Sequence, residues 1–66
     1  MDGDRLKELR EKEGITQVEL AELIDKRSAT ISFYETGRRN PSIEVLDELA
    51  DLFDVSTDYL MGRGAS

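Results

Sequence analysis

Four cations fall in one short stretch of an otherwise acidic chain. Lys26, Arg27, Arg38 and Arg39 lie within residues 26–40 and are opposed there only by Glu35, a balance of +3. Residues 1–25 carry four basic and eight acidic side chains, and residues 41–66 carry Arg63 against six acids. The net charge of −6 over 66 residues is therefore unevenly placed. An acidic body with one basic window suggests an anionic partner met at a single place, and a solvated face is the plain alternative.

Other chemistries find little support. With no histidine and no cysteine, the commonest general base, the commonest metal ligand, thiolate sites and disulfides are all excluded. The carboxylates sit at exposed spacings on amphipathic segments, with no nucleophile–base constellation beside them, so no enzyme is expected. The acids after Ser42 fit a solvated helix face, and the EF-hand arrangement around a glycine is missing, so neither metal nor cofactor is expected. No apolar run approaches a membrane span and no signal-peptide pattern opens the sequence, which leaves a cytoplasmic location as the expectation.

The basic window must be held by helices, since apolar residues recur at helical spacing and no strand pattern appears. A first segment runs from about Asp4 to Glu13, with Leu6 and Leu9 on one stripe, and Gly14 as its stop. Thr16 and Glu19 form a capping box at the head of a second, Gln17 to Ile24, with Leu20, Ala21 and Ile24 inward. A third spans about Arg27 to Glu35, with Ile31 and Tyr34 three apart and Gly37 as a left-handed stop. Pro41 keeps any helix from crossing Asn40. Ser42 caps a fourth segment, Ile43 to about Phe53, with Leu46, Leu49, Ala50 and Phe53 inward, and Ser56 caps a last short turn closed by Gly62. Residues 1–62 thus read as one domain, and 63–66 as a flexible tail or linker stub. The short connection between segments two and three fits a helix-turn-helix unit, and equally a generic helical hairpin.

An ordered set of short motifs decides between these. Arg5-Leu6-Lys7-Glu8-Leu9-Arg10, Gly14-Ile15-Thr16-Gln17, Glu19-Leu20-Ala21, Thr30-Ile31-Ser32, Tyr34-Glu35, Gly37, Pro41-Ser42, Leu49-Ala50 and Val55-Ser56 through Asp58-Tyr59-Leu60 follow one another collinearly. In this the chain resembles the Cro/C1-type (XRE-like) helix-turn-helix family of phage and bacterial transcriptional regulators. The resemblance implies an all-α, compact, five-helix, lambda-repressor-like domain with its helix-turn-helix at helices two and three. It further implies a sequence-specific repressor that inserts its third helix in the major groove of double-stranded DNA and works as a homodimer on a palindromic operator. The Val55–Met61 end or a further C-terminal domain would make the dimer.

By position in the family, Arg27, Ser28, Ala29, Ser32 and Phe33 would face base edges. Gln17, Thr36, Arg38, Arg39 and Asn40 would meet phosphates, and Arg10 with Glu35 would form a structural pair. The chain departs from the family at its turn. Asp25 must take a left-handed conformation, for which an Asx turn would help, and Lys26 must snorkel. Arg27 is a poor cap, so Ser28 is a candidate cap one residue later. Phe33 stands where a long polar side chain is usual. A phenyl ring suits a thymine methyl, a protein partner, or nothing beyond a lone exposed ring. An antitoxin or protein-interaction module that keeps the fold, with weak or no specific DNA binding, is the alternative.

Overall fold

A computed structural model of the chain describes residues 1–63. Five helices follow in order: α1 (Gly3–Lys12), α2 (Gln17–Leu23), α3 (Ser28–Thr36), α4 (Ile43–Phe53) and α5 (Thr57–Leu60), with no strand among the described residues. Each helix sends one side chain to full burial: Leu6, Leu20, Ile31, Leu49 and Leu60. Burying a side chain of this kind contributes about 1.5–3 kcal/mol, so a small core supported by all five helices suffices to hold them together. Ala21, Ile24, Tyr34, Val45, Ala50 and Phe53 complete that core. Ala21 is small where α2 and α3 pack together, and only a small residue lets the two backbones approach across a tight turn.

Local signals fix most helix ends. The Thr16 hydroxyl accepts from the Glu19 amide at 3.1 Å, and the Thr16 amide donates to the Glu19 carboxylate at 2.9 Å, closing the capping box. Ser42 and Ser56 each accept a backbone amide three residues on. Gly14, Gly37 and Gly62 all have positive φ past a helix end.

The helix ends depart from expectation at α1, at α3 and in the C-terminal turn. α2 stops one residue short of Ile24, and α4 closes at Phe53 as the spacing predicts but on an unexpected cap. α1 starts and stops one residue earlier than the spacing predicts, because the Asp2 carboxylate accepts from the Asp4 and Arg5 amides. Gly3, inside that first turn, lies so close to the end of α3 that a Cβ there would overlap the Tyr34 and Glu35 carbonyl oxygens. α3 starts at Ser28, which is therefore its first helical residue and not its cap; Arg27 takes the cap position with no side-chain hydrogen bond. α4 ends on Asp54, a non-glycine residue at φ 54°. The Arg63 amide donates to the Asp58 carbonyl at 2.8 Å, so this first residue of the expected tail still closes α5; residues 64–66 lie outside the described residues.

Candidate nucleic-acid interface

The turn between α2 and α3 contains no glycine. Asp25 sits at φ 56°, and the Lys26 amide closes the end of α2 by donating to the Ala21 carbonyl at 2.8 Å. No hydrogen bond of the Asp25 carboxylate occurs among the described residues, so the conformation stands without an Asx turn. Asp tolerates this region better than most residues but at a cost that glycine avoids. Lys26 stays exposed, and Arg27 follows in extended conformation, also exposed. Ser28 and Ala29, the first two residues of α3, are exposed as well, while Ser32 and Phe33 one turn later are half-buried.

The other end of α3 is tied down by a buried network. Arg10 donates from Nε to Glu35 Oε2 at 2.7 Å and from Nη2 to Oε1 at 3.1 Å, a two-pronged pair. Its Nη1 donates to the Ile15 carbonyl at 2.9 Å, and Gln17 Nε2 donates to Glu35 Oε1 at 3.1 Å. One carboxylate thus joins α1, the lead-in to α2, and α3. Its hydrogen bonds hold the Arg10 guanidinium above its ordinary range, with burial working against them. The pair also alters the electrostatics of the face. Glu35 is neutralised by Arg10, which lies outside the basic window, so the window's four cations keep no free acid among them.

The loop after α3 carries the rest. Arg38, Arg39 and Asn40 are exposed. The amides of Arg38 and Arg39 both donate to the Phe33 carbonyl, at 2.9 and 3.3 Å, which folds the loop back over the last turn of α3. The Arg39 guanidinium carbon lies 5.3 Å from the centre of the Phe33 ring. Phe33 is therefore no lone exposed ring. Thr36 is exposed, but its one hydroxyl proton goes to the Ser32 carbonyl at 2.9 Å, leaving the oxygen as an acceptor. Asn40 Oδ1 accepts from the Met1 amino group at 2.9 Å, which leaves its amide hydrogens outward.

Three elements carry these side chains: the exposed start of α3, the head of α2 and the arginine loop after α3. The pattern of the helix-turn-helix family matches residues 6–60. The chain belongs to that family. The HTH-type transcriptional regulator ImmR of Bacillus subtilis is 46% identical over 61 residues, covering 92% of this chain and 48% of its own length. The regulator AnsR of the same organism is 46% identical over 63 residues, covering 96% and 54%. The chain spans about half the length of these two relatives. Among solved structures, a transcriptional regulator from Listeria innocua superposes with a TM-score of 0.88 at 31% identity, over 97% of this chain and 60% of that one. The P22 c2 repressor, solved in complex with synthetic operator 9T, superposes with a TM-score of 0.84 at 31% identity over 88% of both chains. The five-helix, repressor-like architecture is shared with it, and the chain is a helix-turn-helix domain of the transcriptional-regulator type. Among the described residues no helix is long and apolar enough to cross a membrane.

Two features of this helix-turn-helix escaped the sequence reading. Gln17 is tied to Glu35, eighteen residues away, and the Phe33 ring underlies Arg39. The first had no local signal. The second had one, an aromatic and an arginine on either side of the Gly37 stop, which brings the chain back over its own last turn.

Proposed function

We propose that this domain binds double-stranded DNA as the reading half of a transcriptional repressor, with α3 in the major groove. The observation that carries the reading is the asymmetry of α3: its exposed start projects Arg27, Ser28 and Ala29 from a helix whose far end is buried and pinned. Such a rigid support suits base readout, which fails when contacts wander by an ångström. Ser32 and the edge of Phe33 extend the reading row by one turn. Arg38, Arg39 and the Asn40 amide grip phosphates on one flank, and the Gln17 side chain on the other, with Thr36 able to join only as an acceptor or after releasing Ser32. The P22 c2 repressor, solved in complex with a synthetic operator, supports operator DNA as the ligand here. The acidic remainder repels DNA in wrong orientations and so favours one docking pose.

In this reading residues 1–62 are the DNA-binding domain of a cytoplasmic regulator, and a homodimer joined near the Val55–Met61 end places two copies on a palindrome. Selecting bound duplexes from a random pool tests it, and the expected product is a palindrome with half-sites about one helical turn apart. Arg38→Ala should weaken binding to every duplex and reduce the salt slope by about 0.9. Ser28→Ala should change which bases are preferred. Equal losses on all sequences from both changes would reverse the assignment of roles, and a pool that yields no enriched sequence would reject specific readout.

A further inference from the structure

The position where this chain departs from its family's usual polar residue also touches the loop arginines. We infer that Phe33 is a positioning residue for Arg39: its ring holds the guanidinium over the end of α3, ready for the phosphodiester backbone. The inference rests on the DNA-binding reading above and adds to it a second role for Phe33, one that is independent of sequence.

Three observations support it. The guanidinium carbon stands 5.3 Å from the ring centre, within range for cation–π attraction. The ring is half-buried, so it is a fixed surface and not a swinging one. The Phe33 carbonyl also accepts the amides of Arg38 and Arg39, so one residue fixes both the path of the loop and the direction of the second arginine's side chain. Among the described residues Arg38 has no ring beneath it.

The physics follows from what an arginine loses on binding. A free arginine on a loop is among the costliest side chains to immobilise, and an exposed phosphate contact recovers little of that cost. The ring contact restricts the guanidinium beforehand while leaving N–H donors for phosphate oxygens, because cation–π attraction uses none of them. A polar residue at position 33 could not offer such a ring.

The test combines the free protein with DNA of random sequence. In wild-type protein the Arg39 δ-protons should be shifted upfield by the ring, and Phe33→Leu should return them to ordinary positions. On random duplex at low salt, Phe33→Leu should weaken binding about threefold, as expected for losing one exposed cation–π contact. Arg39→Ala should weaken it at least as much, the double variant no further than Arg39→Ala alone, and Phe33→Trp should retain wild-type affinity. Unchanged Arg39 shifts in the leucine variant, or a leucine penalty that persists in the Arg39→Ala background, would overturn the inference while leaving DNA binding intact. Wild-type protein that binds no duplex would overturn the reading it rests on, and this inference with it.

Discussion

The two ends of α3 are held in opposite ways. Its last turn contains Glu35, gripped by Arg10 and Gln17, and lies against Gly3 with no room for a methyl group. Its first turn is exposed, begins after a left-handed Asp25, and has at its cap an arginine that makes no capping bond. A helix clamped at one end presents the other end in a fixed direction. The uncapped arginine makes sense on the same terms: a serine would serve the helix better, whereas an arginine is free to serve a ligand. On the proposed reading, stability and recognition fall to different turns of one nine-residue element.

The largest effect should come from breaking the clamp. Glu35→Ala leaves the buried Arg10 guanidinium unpaired and should cost about 3 kcal/mol, a fall of roughly 15 °C in Tm for a domain of this size. Replacing both partners, Arg10→Met with Glu35→Leu, should recover most of that loss, because apolar groups need no partner. Calorimetry on the single and double variants decides this, and a double variant as unstable as Glu35→Ala would show that the pair does more than satisfy itself.

Next in size is the close approach. Gly3→Ala sets a methyl group against backbone carbonyls that cannot rotate away, so α1 or α3 must shift, at about 2 kcal/mol. A chemical denaturation midpoint equal to wild type would mean that α3 is not seated there. The smallest effect has the opposite sign. Arg27→Ser supplies the missing cap and should stabilise by about 1 kcal/mol while reducing DNA affinity, a split that sharpens the contrast between the two ends. Loss of stability in that variant would show that Arg27 supports the fold.

Much of this was legible in the residues. The Thr16–Glu19 box, the Gly37 stop, the Ser42 cap and the Leu6, Leu20, Ile31 and Leu49 spacing all act locally, so a reading by periodicity and caps locates them. The misses share a different cause. Gly3 matters because α3 comes to lie beside it, Gln17 because Glu35 arrives from the next helix, and Arg5 because its guanidinium lies 4.4 Å from the Tyr59 ring and donates to the Tyr59 carbonyl. None of these partners is near in sequence. Asp54 was missed for a local reason: at a helix end only glycine or asparagine signals a left-handed cap, and an aspartate there reads as one more surface acid. The candidate site residues were named in the sequence only through family resemblance, while the contrast between a clamped and an exposed end of α3 required the fold.

The most direct test of that division is a chemical-shift titration of the labelled protein with a duplex selected by it from a random pool. The account predicts that amide shifts concentrate at Gln17, Arg27–Phe33 and Arg38–Asn40, while the acidic outer face of α4 (Glu44, Asp47, Glu48 and Asp51) stays unmoved. Perturbations centred on α4, or spread without regard to the start of α3, would contradict it.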